Sequence, residues 1–170
     1  MSDGTRVSGP LARVGRRVAE SIDRDPLAAA EILTDEDGVS HVYAEDRYTL
    51  AYANGYVQAR DRLFEMDVLR HVGYGDSAEI LGPAQLMSDV QVRRDLYSKA
   101  ELRAQYESAD EEIQRTLDAF ANGVNRQLVE MATTASLPAE FVALGHVPAP
   151  WSAVDSVAVS AYMLGFFGVF

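Results

Sequence analysis

The apolar positions of this chain change period along its length, and each change predicts an element. Leu11, Val14 and Val18 recur at helical spacing among arginines and glutamate, which predicts a short surface helix ending near Asp25-Pro26, behind a small, polar and disordered start. From Leu27 the pattern becomes extended. Ala28 to Leu33 reads as a strand, Asp35-Glu36-Asp37-Gly38 as a turn, and Val39 to Ala44 as a second, alternating strand. Together they predict a β-hairpin, which is marginal alone and needs a larger sheet to join.

After Asp46 the period switches to three and four. Tyr52, Tyr56, Ala59, Leu63, Met66 and Leu69 predict a long, largely buried helix that stops at Gly73-Tyr74-Gly75, where two glycines supply conformations a helix does not use. Shorter helices are predicted over 77–81, 87–96 and 98–107. Asp110 is placed to cap the next helix, with Glu111 and Glu112 favouring its positive end, and Ile113, Leu117, Phe120, Val124 and Leu128 form its apolar stripe. Prolines 138, 148 and 150 punctuate a connector with a short helix around 140–144. Ser152 and Asp155 then form a capping box for a final helix. Its apolar run, Ala158 to Phe170, is interrupted by Ser160, Gly165 and Gly168 and falls short of the roughly 20 residues that span a bilayer, so it is expected to be a core helix. The predicted class is mainly α with an N-terminal β-hairpin. A tail and short helix occupy 1–26, and an incomplete domain occupies 27–170.

Composition narrows the partners. The 170 residues are 48% hydrophobic, enough for the core of one domain. Acids outnumber bases 26 to 15, a formal charge of −11 that repels nucleic-acid phosphates and anionic lipids, so neither nucleic acid nor membrane is expected as a partner. Lys99 is the only lysine among the 15 basic residues, a balance typical of salt-rich cytoplasms and of high-GC genomes. With no cysteine, disulfides, thiolate metal sites and a cysteine nucleophile are excluded within these residues. Arg16-Arg17 is not followed by an apolar run, so no secretion signal is predicted and the chain as written is expected to be cytoplasmic.

A self-contained active site is not apparent. His41, His71 and His146 fall on a strand, a helix end and a loop without metal-ligand spacing, and are expected to be unrelated structural or surface residues. The 35–38 turn resembles a calcium loop only superficially, because Val39, His41 and Tyr43 stand where ligands should be. Gly73-x-Gly75 follows a helix rather than a strand, which fails the context of a phosphate loop. Asp61 and Arg62, inside an apolar helix, are expected to form a structural ion-pair network with another segment. Removal of Met1 would expose Ser2 as an N-terminal serine, a minor candidate nucleophile.

Specific strings carry further. Asp37-Gly38-Val39-Ser40-His41-Val42-Tyr43-Ala44 resembles the Gly-Val-Pro-His-Ile-x-Ala strand of the penicillin acylase family, with Ser40 in place of proline. Gly55-Tyr56-Val57-Gln58-Ala59-Arg60-Asp61-Arg62-Leu63-Phe64-Glu65-Met66 resembles that family's Gly-Tyr-x-x-Ala-x-Asp-Arg-Leu-x-Gln-Met helix, with Glu65 for glutamine. Ala78-Glu79-Ile80-Leu81-Gly82 and Pro148-x-Pro150-Trp151-Ser152-x-x-Asp155-Ser156 follow in the family's order.

The resemblance implies the α-subunit part of an αββα N-terminal-nucleophile hydrolase, made as a self-cleaving precursor. Such enzymes hydrolyse linear amides, removing acyl side chains from β-lactams or acyl-homoserine lactones. The nucleophilic serine lies on a β chain, the expected partner, so no catalytic residue is expected in these residues. The resemblance maps one wall of the acyl pocket onto 161–167, with Met163, Phe166 and Phe167 as substrate-binding candidates; simple core packing is the competing reading of Phe166-Phe167. An arginine found near this point in some members is missing. Calcium binds between the chains in some members, and the α-chain acidic ligand would fall just beyond Phe170. Members are often exported. The alternative is a truncated, catalytically inactive helical remnant or binding module, suggested by the missing nucleophile and the end inside an apolar helix.

Overall fold

The computed structural model describes residues 26–168. The predicted 11–18 helix, the start expected to be disordered and the Ser2 candidate lie outside them. A 3₁₀ turn at Pro26–Ala29 leads into β1 (Ala30–Thr34), which pairs antiparallel with β2 (Ser40–Ala44) in the register Ala30↔Ala44, Ile32↔Val42 and Thr34↔Ser40. The hairpin is the expected one, shifted so that Ala28 and Ala29 belong to the 3₁₀ turn and Val39 to the loop. The loop closes on Asp35, whose carboxylate accepts the amides of Asp37 at 3.1 Å and Val39 at 2.8 Å, while Gly38 takes φ +80°. The solvated turn expected here is what forms.

Helix α1 (Arg47–Tyr74) is capped by Asp46, whose carboxylate accepts the Tyr48 and Thr49 amides at 2.9 and 3.0 Å. It is interrupted at Arg62 (φ −145°, ψ 26°) and ends at Gly75, a left-handed C-cap with φ +66°. Gly73 is not a terminator. It is helical and buried, and a Cβ there would stand 2.9 Å from the Ala158 carbonyl oxygen, so its role is close approach to the last helix. Short α2 (Ala78–Leu81), a 3₁₀ turn (Pro83–Gln85), α3 (Leu86–Asp95) and α4 (Lys99–Ser108) follow. Then come α5 (Glu111–Thr134), α6 (Ala139–Leu144) and α7 (Ala153–Phe167).

The core forms where α1 crosses α5. Each helix brings a glycine to the other's backbone: a Cβ on Gly55 would lie 2.1 Å from the Phe120 carbonyl oxygen, and one on Gly123 would lie 1.9 Å from that of Tyr52. Around this crossing Ala59, Leu63, Met66, Ala121, Val124 and Phe141 are buried with Trp151. A second cluster, Leu102, Val154 and Ala158, joins α4 to α7.

Several expectations are corrected. Asp61 and Arg62 are exposed; Asp61 pairs with its neighbour Arg60 at 2.8 Å, and Arg62 pairs with Glu65 at 3.6 Å on the same helix. The link to another segment runs through Ser40 of β2, whose hydroxyl accepts from Arg60 at 2.8 Å and donates to Asp61 at 3.5 Å, so Asp61 joins the network expected of it and Arg62 does not. Asp110 precedes α5 but its side chain makes no capping hydrogen bond, and Ile113 is 50% exposed at the end of the apolar stripe. The last helix is a core helix only in its first half. Ala153, Val154, Asp155 and Ala158 are buried, whereas Leu164, Phe166 and Phe167 are exposed. Among the described residues no helix is long and apolar enough to cross a membrane.

Candidate functional site

The substrate-binding candidates sit on α7, so the site begins with what fixes that helix. Its capping box is complete: Asp155 accepts the Ser152 amide at 2.6 Å, and the Ser152 hydroxyl accepts the Asp155 amide at 3.4 Å. Before it, Trp151 and Asn125 of α5 exchange two hydrogen bonds, Trp151 N–H to the amide oxygen at 2.7 Å and the amide N–H to the Trp151 carbonyl at 2.8 Å. Asp155 also accepts the Tyr74 hydroxyl at 2.6 Å. Burial and the Asp155 carboxylate push the Tyr74 phenol far above its ordinary value, so it stays a donor.

From this anchored base α7 extends to a pendant apolar end. Phe166 and Phe167 meet edge to face at 5.3 Å, and Tyr162 stacks on Phe166 at 6.4 Å. Between α7 and α3 lies a cleft of about 420 Å³, with Val92, Leu96, Tyr162 and Phe166 as apolar surface and Gln91 and Asp95 among its polar groups. Gly165 widens it, since a Cβ there would meet Leu96 Cδ2 at 3.0 Å. Of the three sequence candidates Phe166 lines this cleft. Met163 and Phe167 share the helix end without lining it, at 37% and 64% exposure. A second cleft of about 440 Å³ runs between α1, α5 and α7, walled by Met66, Leu69, Leu117, Phe120, Trp151 and Val159. Both offer apolar contact with a few polar groups, the make-up of a small-molecule or partner recess.

The sequence reading missed a buried polar network beneath α7. Arg70, 5% exposed, pairs with Asp67 and Asp155, donates to the Ala149 and Pro150 carbonyls at 3.1 and 3.3 Å, and lies 5.3 Å from the Trp151 ring centre. His146 contacts the other Asp67 oxygen at 2.7 Å, and His71 Nδ1 contacts Asp76 at 2.7 Å. The histidines are therefore not all unrelated. The rings of His71 and His146 meet edge to face at 5.7 Å, while His41 stands apart with Asp35. Burial raises the Asp76 pKa, but hydrogen bonds from His71 and Lys99 outweigh it and hold the carboxyl below its usual range. The signal was present in sequence: Asp67, Arg70, His71 and Tyr74 are spaced along one face of α1.

The calcium implied by the resemblance calls for hard oxygen donors. The ligand that the resemblance implies for it lies outside the described residues; the group of potential metal ligands among the described residues, Asp67, His71 and His146, has two imidazoles and is a different kind of site.

The penicillin amidase family model matches residues 29–169. The chain is 35% identical to penicillin G acylase of Escherichia coli over 127 residues, covering 74% of this chain and 15% of that one. It is 36% identical to penicillin acylase 2 proenzyme of Pseudomonas sp. (strain SE83) over 132 residues, covering 78% and 16%. It is likewise 36% identical to acyl-homoserine lactone acylase QuiP of Pseudomonas aeruginosa over 113 residues, covering 66% and 13%. Among solved structures, a thermostable penicillin G acylase from Alcaligenes faecalis superposes with a TM-score of 0.74 at 31% identity, covering 83% of this chain and 75% of that one. The chain thus spans about 15% of the length of the first of these curated relatives.

Proposed function

This chain belongs to the penicillin amidase family, and we propose that it is the α-subunit-like portion of an amidase that hydrolyses linear amide C–N bonds. The substrates are acyl amides of the β-lactam or acyl-homoserine lactone kind, losing their acyl side chain. The nucleophilic serine lies on a β chain, with its own α-amine as base, and the residues described here form scaffold and pocket wall. Phe166 contacts the acyl group, and Met163 and Phe167 complete the apolar surface once the β chain covers the end of α7.

One observation carries this reading: a rigidly anchored helix holds Leu164, Phe166 and Phe167 at 74%, 55% and 64% exposure beside an apolar cleft. Leaving three such side chains partly in water forgoes roughly half to three-quarters of the 1.5–3 kcal/mol of full burial, about 1–2 kcal/mol each, which covering by a β chain and substrate recovers.

The test uses the complete, processed protein with a panel of arylacetyl amides, aliphatic acyl amides and acyl-homoserine lactones. Amine release is expected from at least one class. Phe166→Ala is expected to raise KM for that substrate about tenfold with kcat little changed, since an apolar pocket contact is worth roughly 1–3 kcal/mol. Release of amine from none of the panel overturns the reading.

A further inference from the structure

The polar network under α7 gathers three buried carboxylates. Asp67, Asp76 and Asp155 are all buried, at 2%, 6% and 7% exposure, and the fixed cations in contact with them are Arg70 and Lys99. Buried carboxylates are costly unless each is paired, and His71 and His146 converge on the same spot as Asp67 and Asp76.

We propose that Asp67, His71 and His146 bind a zinc-class divalent cation. One donor atom from each lies within 4.8 Å of the others, and the donor set of two imidazoles and a carboxylate suits zinc and not calcium. Tetrahedral bonds of about 2.0–2.1 Å place donors roughly 3.3 Å apart, so the donors need to draw together by about 1.5 Å at most.

The groups behind these donors are arranged to support them. Asp76 engages His71 through Nδ1 at 2.7 Å, which leaves Nε2 as the ligating nitrogen, and Lys99 holds the other Asp76 oxygen at 2.9 Å. Such a carboxylate behind a ligating imidazole fixes its tautomer and orientation. Arg70 occupies Asp67 Oδ1, leaving Oδ2 to bind through one oxygen. His146 now contacts that Oδ2 through Nε2 at 2.7 Å. On binding, the neutral ring carries its proton on Nδ1 and presents Nε2 to the ion. His71 and His146 are partly exposed, with side chains 19% and 23% accessible, so a fourth position is open to water and the ion has a way in. The site ties α1 to the 145–152 connector.

The experiment is a cobalt and zinc titration of the complete protein after chelator treatment. Expected is an intense visible band of tetrahedral Co²⁺, displaced by one equivalent of Zn²⁺ and untouched by Ca²⁺. His146→Ala and His146→Asn should both remove the band, and Asp76→Asn should weaken zinc binding 10- to 100-fold. Absence of a band in the parent protein, or a band that survives in a folded His146 variant, overturns the proposal. Amidase activity is not the readout, so the outcome is independent of the proposed function.

Discussion

Replacing Gly123 with alanine should destabilise the protein by about 3 kcal/mol or more, although alanine is the better helix former. In an exposed helix interior Gly→Ala is favourable by about 1 kcal/mol. At Gly123 the new methyl would lie 1.9 Å from the Tyr52 carbonyl oxygen, 2.8 Å from its carbon and 2.9 Å from the Tyr56 nitrogen. Ordinary C···O contact is about 3.3 Å, so α1 and α5 must separate locally by more than 1 Å. All the obstructing atoms are backbone, so no rotamer relieves the clash. A gap of 0.5–1 Å already forfeits a quarter to a half of each dispersion contact, and Ala59, Leu63, Ala121 and Val124 pack around this crossing.

Overpacking of this kind costs typically about 1–3 kcal/mol with side-chain relief, and here there is none. Gly165→Ala is the control. It too is helical, but its added methyl meets only the Leu96 Cδ2 end of a side chain at 3.0 Å. The assay is the urea midpoint of the complete protein for both variants. Gly165→Ala should be neutral within about 1 kcal/mol, and Gly123→Ala should shift strongly downward. Equal midpoints would refute the claim that the two backbones are in contact.

Other expectations follow from the caps and the buried carboxylates. Ser152→Ala should cost about 1 kcal/mol, the usual value of an N-cap, read as a lower urea midpoint. Asp155→Ala should cost more, about 2–3 kcal/mol, because it removes the acceptor of the Ser152 amide and leaves the half-buried Tyr74 hydroxyl without its acceptor. Asp89 accepts the Ser77 and Ala78 amides at 2.9 and 2.8 Å and the Ser77 hydroxyl at 2.6 Å. Burial raises its pKa, but these bonds and the Arg93 charge outweigh it, so the folded value lies below the unfolded one. Its contribution is therefore fully present above about pH 4 and is lost as pH falls through the folded pKa. Midpoints measured from pH 6 to 2.5 should show that acid loss, and Asp89→Asn should make it smaller, with Asp76 among the carboxyls that keep the remainder.

The periodic elements were legible because their signals are local. The 28 residues of α1, the stripe of α5 and the Ser152–Asp155 box follow from neighbours within four positions. Burial of the last helix is not legible in sequence because hydrophobicity says that a side chain avoids water, not which surface covers it; Phe166 and Phe167 are as greasy as Phe141 yet lie at the surface. The polar network was missed for the opposite reason. Asp67 and Arg70 look like ordinary surface charges on α1, and they become a buried site only when His146, Ala149 and Asp155 arrive from a distant part of the chain.

That distance bears on how the chain folds. The hydrogen bonds from α1 to the 146–155 segment span 79 to 81 residues. Closing so long a loop carries an entropy cost that must be met before any contact rewards it. During synthesis α1 leaves the ribosome with Asp67, Arg70, His71 and Tyr74 hydrated, and they stay wet until Trp151 and Asp155 have been made. Docking of that late segment dries the whole row at once, so the second half of α1 should gain amide-exchange protection together with the start of α7, as one late cooperative step and not as an early helix.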